Sequence, residues 1–193
     1  MIIGVDEAGR GCIIGPLVMA ACVDPGFDVK DSKLYTKKQR AELFDKLISL
    51  PHVVISIPVW VLEQYNMNDL ECMTTASMLN QLPFSQAIVD CPSINLQAYK
   101  NQLSSMVKGD LLVQHKAEEH NSVAAASVIA KVYRDRILAG LKQRYDIECG
   151  SGYLSDYKTQ DFLKKHWKTH SFLFRKTWKP YRELCQSTLN QYV

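Results

Sequence analysis

Hydrophobic residues along the chain occur in short β-branched runs that alternate with longer stretches of helical spacing. The short runs predict strands at residues 2–5, 12–23, 53–59, 87–90 and 111–114, the second of them broken near Gly15 and Pro16. The longer stretches predict helices at residues 41–50, 68–82, 97–107, 123–132 and 158–167, with Asn68 as the cap of the second. Strands and helices that alternate in this way predict a mixed α/β domain.

The composition is that of an ordinary globular protein. The 193 residues fit a single domain with a sizeable core, and they are 47% hydrophobic and 22% charged. No apolar run reaches the roughly 18 residues of a membrane span, and the N-terminus lacks an export signal. We therefore expect a cytoplasmic protein without membrane contact. Six scattered cysteines with no Cys-x-x-Cys pair indicate reduced thiols and argue against zinc.

The net charge of +3 is unevenly distributed. Residues 1–150 contain 15 Lys and Arg against 17 Asp and Glu, whereas residues 151–193 contain 8 against 3. A basic C-terminal face beside an acidic body suits a nucleic-acid enzyme, although basic ends are also common solubilising surfaces. Aromatic and cationic residues interleave over 172–179, which fits either a nucleic-acid surface or the packing of a final helix.

The first predicted strand leads into two acids and a glycine-rich stretch. Asp6 and Glu7 follow the apolar run, and Gly9, Arg10 and Gly11 come directly after. Two adjacent acids at the edge of a core are costly unless a cation or hydrogen bonds compensate them. Carboxylates suited to a metal, beside amides and an arginine suited to a phosphate, indicate phosphate-ester chemistry. The alternative is a strand that ends in a solvated turn.

A third acid ends a later strand. Asp90 closes the apolar run at 87–90, and Pro92 follows shortly after. Functional groups of α/β sheets gather at the carboxyl ends of parallel strands, so Asp90 is a candidate to join the first two acids. It also fits a turn former. His166 and His170 have a spacing that can bind zinc, but no third ligand is apparent and we interpret them as surface histidines.

Two segments resemble those of one enzyme family. Residues 6–11 read Asp-Glu-Ala-Gly-Arg-Gly, and with Ile-Gly-Pro-Leu-Val at 14–18 they are similar to the N-terminal signature of ribonuclease HII. Residues 125–132, which read Ala-Ala-Ser-x-Ile-Ala-Lys-Val, resemble a hallmark helix of the same family. Residues 31–33 and the Gly-Tyr pair at 152–153 match further family segments. The resemblance therefore covers most of the chain.

The resemblance implies a ribonuclease H-like fold with a central mixed sheet flanked by helices. It implies a core at residues 1–145 and a C-terminal helical, substrate-binding part at residues 146–193. Members cut the RNA strand of RNA–DNA hybrids, including 5′ of a single ribonucleotide in duplex DNA, and leave a 3′-hydroxyl and a 5′-phosphate. We expect hydrolysis with two Mg²⁺ or Mn²⁺ ions, since acidic oxygen ligands favour these ions over zinc. We also expect a monomer.

The implied metal ligands include one departure from the family pattern. They are Asp6, Glu7, Asp90 and a fourth acid at Glu118, where archaeal-type members have an Asp in a His-Lys-Ala-Asp segment. The spacing from Glu118 to the hallmark helix is also one residue short, and Glu119 is the fallback. Lys108-Gly109-Asp110 copies a bacterial-type fourth acid but lies too far from that helix, so we interpret Asp110 as a turn residue.

The implied substrate contacts are Gly9, Arg10, Gly11, Lys33 and Tyr153. Lys33 would meet a phosphate, although its segment also fits a helix cap. Tyr153 would pack on the sugar at the RNA–DNA junction and support recognition of the 2′-hydroxyl, or it packs on the core. Two other functions stay open. One is a hybrid-binding protein with impaired catalysis, motivated by Glu118; the other is a different metal nuclease of the superfamily, such as a DNA junction resolvase.

Overall fold

The predicted strands form one mixed five-stranded sheet in the computed structural model, which describes residues 1–189. The strand order is β3-β2-β1-β4-β5. β1 is antiparallel to β2 and parallel to β4; β2 and β3 are antiparallel, and β4 and β5 are parallel. The bounds are Ile2–Ala8 for β1, Leu17–Val23 for β2, His52–Ile57 for β3, Gln86–Asp90 for β4 and Asp110–Gln114 for β5.

Seven α-helices accompany the sheet within the described residues. They are α1 (Lys37–Leu47), α2 (Val59–Leu62), α3 (Met67–Leu79), α4 (Leu96–Ser104), α5 (Asn121–Tyr145), α6 (Tyr157–His166) and α7 (Lys179–Leu189). The predicted cap of α3 is wrong, because the side chain of Asn66 accepts the amides of Asn68 and Asp69. The sequence pattern predicts the hallmark helix at 123–132. In the structure this helix is part of α5, which has 25 residues and ends at Tyr145.

β1 extends further than its apolar run predicts. Asp6 and Glu7 belong to the strand because they pair with Ala20 and Met19 of β2. The strand is buried on both faces, since α3 and α4 pack against one face of the sheet and α1 and α5 against the other. Gly4 allows α5 to approach: a Cβ atom there would lie 2.1 Å from the backbone of Ser122. The acids of β1 are therefore held by strand pairing on a rigid element.

The segment before β2 is not a strand. The predicted run at 12–23 forms β2 only from Leu17 onward, because Gly15 adopts a positive φ of 87° and Pro16 follows it. Ile13 instead donates its amide to the carbonyl of Gly152 at 2.9 Å and accepts the amide of Arg175 at 3.0 Å. These bonds attach the C-terminal part, which has its own apolar cluster with α6 and α7, to the start of the chain.

The middle of the interleaved aromatic and cationic segment packs inward, whereas Phe172, Lys176 and Lys179 are exposed. Phe174 and Arg175 are fully buried, so packing rather than a nucleic-acid surface explains these two residues. The six cysteines are free thiols, as predicted. Over residues 1–189 the structure contains no helix with the length and apolar character that a membrane crossing requires.

Candidate functional site

Three carboxylates meet at the carboxyl end of the central strands. One oxygen from each of Asp6, Glu7 and Asp90 lies within 4.8 Å of the others. The parallel pairing of β1 with β4 causes this, because Val5 pairs with Val89 and the next residue of each strand is an aspartate. The positions of the acids in the sequence do not show how far apart their side chains lie. The parallel register of β1 and β4 places the acids at the same edge of the sheet. The predicted convergence of these three residues is therefore present in the fold.

Hydrogen bonds fix two of these carboxylates. The Oδ1 atom of Asp6 accepts the amide of Glu7 at 2.7 Å, and the hydroxyl of Ser127 on α5 also bonds to the Asp6 side chain. The Oδ1 atom of Asp90 accepts the amide of Ala117 at 3.0 Å. The hallmark helix and the turn after β5 thus orient acids that lie on other elements.

The cluster is electrostatically unfavourable without a cation. Burial, together with the negative charges of Asp90 and Glu118, raises the pKa of Asp6 from 3.8 to about 7. Burial and the neighbouring acids raise the pKa of Glu7 well above its ordinary value, and burial raises the pKa of Asp90. Three carboxylates that resist joint ionisation are a donor set that a hard divalent cation stabilises. The residues therefore fit Mg²⁺ or Mn²⁺.

Glu118 faces the same cavity but lies outside the close group of three. It belongs to a short turn, Ala117–Glu119, and lines a cavity of about 440 Å³ with the three acids. Its Oε1 atom is 3.6 Å from Nζ of Lys33. The Glu118 side chain is 19% exposed, whereas that of Glu119 is 72% exposed and accepts a bond from Gln114. The cavity therefore favours Glu118 over Glu119, and its role as a ligand stays a prediction.

Asp110 lies far from this cluster. It is the first residue of β5 rather than a turn residue, and it pairs with Gln86 at the start of β4. Its Oδ2 atom accepts a bond from the Gln86 side chain at 2.9 Å. Because Asp90 ends β4, Asp110 sits at the opposite end of the sheet. The exclusion of Asp110 from the site agrees with this placement.

The glycine-rich loop forms the neighbouring wall of the cavity. Gly9 has a φ of 93°, and a Cβ atom there would lie 2.4 Å from Nε of Arg134. The amides of Arg10 and Gly11 donate no hydrogen bond to any described residue. Tyr153 also lines the cavity, with its ring 5.1 Å from the Arg134 guanidinium. Two unused amides beside a carboxylate cluster suit an anionic ligand.

Lys33 lies between two acids at the same cavity. Its Nζ atom is 3.4 Å from Asp31 and 3.6 Å from Glu118, and its side chain is largely exposed. The side chain of Asp31 also accepts the amide of Lys33, but it caps only the short turn Ser32–Leu34. The alternative that this segment caps the following helix is wrong, because Thr36 is the cap of α1. The turn leaves the Lys33 ammonium group at the cavity, and its contact with a phosphate stays a prediction.

Sequence reasoning missed two buried arginines beneath the loop. Arg175 is fully buried and donates to the carbonyls of Gly9 at 2.6 Å, Arg10 at 2.7 Å and Gly15 at 3.1 Å. Arg134 is also buried and donates to carbonyls on both sides of the junction with the C-terminal part. A signal existed for Arg134 alone, since it continues the helical spacing of the small residues on the buried face of α5.

Other predicted side chains have structural contacts. Asp135 forms an ion pair with Nζ of Lys131 at 2.7 Å. His166 and His170 pack on Phe162. Neither histidine belongs to any three-residue metal-binding group that the described chain contains.

Comparison with known proteins agrees with the geometry. The family model described as Ribonuclease HII matches residues 3–181. A ribonuclease HII of Nanoarchaeum equitans is 40% identical over an alignment of 186 positions, which covers 91% of this chain and 92% of the relative. A ribonuclease HII of Thermococcus onnurineus is 34% identical, over 94% and 88% of the two chains.

Solved structures give the same answer for the fold. The crystal structure of ribonuclease H2 from Pyrococcus horikoshii superimposes with a TM-score of 0.85 at 34% identity, covering 96% of this chain and 97% of that one. Ribonuclease HII in its complex with PCNA from Archaeoglobus fulgidus gives 0.83 at 34% identity, covering 93% and 95%. The predicted ribonuclease H-like α/β fold is confirmed. The chain belongs to the ribonuclease HII family of metal-dependent ribonucleases.

Proposed function

We propose that this chain is an endonuclease that hydrolyses the RNA strand of RNA–DNA hybrids, including 5′ of single ribonucleotides in duplex DNA. The observation that carries the proposal is the single cavity in which Asp6, Glu7 and Asp90 face a loop with unused backbone amides. Acids that hold cations and amides that hold a phosphate are the two requirements of phosphodiester hydrolysis. The products would be a 3′-hydroxyl and a 5′-phosphate.

We assign the metal-binding role to Asp6, Glu7, Asp90 and Glu118, with two Mg²⁺ or Mn²⁺ ions. Divalent ions held there would supply the positive charge that activates water and stabilises the leaving 3′-oxygen. The chain itself orients the ligands: the Ala117 amide holds Asp90, and Ser127 holds Asp6. The Oε1 atom of Glu118 lies 3.6 Å from Nζ of the exposed Lys33, so this ammonium would meet a phosphate beside the metal ligands.

Substrate recognition belongs to the loop and Tyr153. The amides of Arg10 and Gly11 face no protein acceptor in the described chain and would bind the phosphate or the 2′-hydroxyl. Tyr153 would pack on the sugar, and its hydroxyl, whose pKa burial raises to about 12, would donate a hydrogen bond. The 2′-hydroxyl distinguishes RNA from DNA at such a site.

The test is cleavage of three duplexes by the purified chain with Mg²⁺ or Mn²⁺: a long RNA–DNA hybrid, a DNA duplex with one ribonucleotide, and an all-DNA duplex. We expect nicking 5′ of the ribonucleotide and no cut in DNA. Binding without metal-dependent nicking would instead indicate a hybrid-binding protein, and cleavage of the all-DNA duplex a different nuclease. The monomeric state and the cytoplasmic location stay predictions; light scattering of the purified chain tests the first.

A further inference from the structure

The side chain of Arg10 is held by two residues of α3 that lie outside the cavity lining. Its Nε atom donates to Oε1 and Oε2 of Glu71 at 2.9 and 3.1 Å, and its Nη2 atom donates to Oδ1 of Asn68 at 2.7 Å. Asn68 and Glu71 are one helical turn apart, so they present one face of α3 to the arginine. Arg10 itself lines the cavity.

Glu71 is an unusual residue in its position. Its side chain is 0% exposed, and Arg10 is its ion-pair partner among the described residues. Burying a carboxylate is unfavourable unless a cation and hydrogen bonds compensate it. An apolar residue would fill the same space in α3 without that cost. The buried acid therefore points to a role in fixing the arginine.

The contacts leave the Nη1 group of the guanidinium free. Glu71 accepts from Nε and Asn68 accepts from Nη2, which keeps a second N–H group. Nη1 has no hydrogen-bond partner within the part of the chain that the structure describes, and the Arg10 side chain is 38% exposed. The end of a guanidinium is a planar fork that matches two oxygens of a phosphate. An arginine held along its side in this way presents that fork without reorganisation.

We propose that Glu71, assisted by Asn68, is a positioning residue that presents the Arg10 guanidinium to a phosphate of the nucleic-acid substrate. The inference rests on the proposed function, because it requires a phosphate in the cavity. The positioning role and a simple charge effect predict opposite changes in the affinity for the nucleic acid. Removing an acid near a nucleic-acid site normally strengthens binding, whereas removing Glu71 weakens it if Glu71 orients Arg10.

The experiment is a double-mutant cycle of Arg10→Ala, Glu71→Gln and the double variant. Dissociation constants for the duplex with one ribonucleotide are measured in EDTA, and kcat and KM in Mn²⁺. We expect Glu71→Gln to weaken binding and kcat/KM by about tenfold, the order of a lost charged hydrogen bond. In the Arg10→Ala background the same substitution is expected to change neither value.

Asp69→Asn is the matched control for charge. Asp69 is an exposed acid of the same helix, and its carboxylate accepts a long bond from Gln102 at 3.4 Å. We expect Asp69→Asn to leave binding unchanged or slightly stronger. Stronger binding by Glu71→Gln, or an equal loss with and without Arg10, would overturn the positioning role.

Asn68→Ala keeps the test open if Glu71→Gln fails to fold. Asn68 is partly exposed, and its loss removes the Nη2 contact alone. The proposal is supported if Asn68→Ala weakens binding less than the roughly tenfold expected for Glu71→Gln and has no effect on binding in the Arg10→Ala background. A loss of binding that persists in that background contradicts the proposal. If the wild-type chain binds the duplex but does not cut it, the proposed function fails, and the binding cycle still decides the role of Glu71.

Discussion

Replacing Asp6 with Asn is expected to stabilise the metal-free protein at high pH while abolishing cleavage. The folded state raises the pKa of Asp6 from 3.8 to about 7, chiefly through burial. Each pKa unit corresponds to about 1.36 kcal/mol, so ionised Asp6 opposes folding by up to about 4 kcal/mol. Asparagine carries no charge and keeps an oxygen that can accept the Glu7 amide.

The pH dependence follows from the same shift. Below pH 3.8 Asp6 is protonated in both states, and its contribution to folding is fully present. As pH rises toward 7, the unfolded chain ionises first and the wild-type protein loses stability. The Asp6→Asn variant lacks this titration, so its advantage grows by up to about 1.4 kcal/mol per pH unit between about pH 4 and 7 and is constant above.

Urea unfolding in EDTA at pH 5 and pH 8 measures this advantage, with Asp110→Asn as control because Asp110 is an exposed acid at the other end of the sheet. We expect a gain at pH 8 that exceeds the gain at pH 5, and no such trend for the control. Equal stability of wild type and Asp6→Asn at both pH values would refute the account of a strained acid cluster.

Three further predictions concern substitutions of single residues. Glu118→Gln is expected to lose most cleavage activity and Asp110→Asn little, as measured by nicking rates. The reverse order would indicate that Asp110, and not Glu118, is the fourth acid. Arg175→Lys is expected to lower stability by about 2–4 kcal/mol, because lysine cannot reach three carbonyls at once; an unchanged melting temperature would contradict this. Gly9→Ala is expected to lower the melting temperature more than Gly26→Ala, since both residues have positive φ but only Gly9 has atoms within 4 Å of the added Cβ.

The sequence predicts the sheet and three of the acids because these depend on local pattern. Apolar runs mark the strands, and Asp6 and Asp90 follow such runs directly. The end of β1 is predicted less well. Asp6 and Glu7 are not apolar, and they belong to the strand because they pair with residues of β2. Likewise the run at 12–14 reads as a strand, although its partners lie in the C-terminal part.

The support of the loop could not be predicted from local pattern. Arg175 and Glu71 belong to charged residue types that usually lie at the surface, yet both are fully buried. Their burial depends on partners 160 or more residues away for Arg175 and 61 residues away for Glu71. Such contacts exist only once the sheet and the C-terminal part are assembled, so a single sequence contains no periodic signal for their function.

The proposed site requires that acids from distant parts of the chain together hold divalent ions. Titration of Mn²⁺ into the metal-free protein, monitored by calorimetry or electron paramagnetic resonance, measures this binding directly. We expect the wild-type protein to bind Mn²⁺, and we expect Asp6→Asn and Asp90→Asn each to weaken binding by at least about tenfold, since even indirect contacts to a metal are worth that much. Unchanged Mn²⁺ affinity in both variants would show that these acids do not hold the ion.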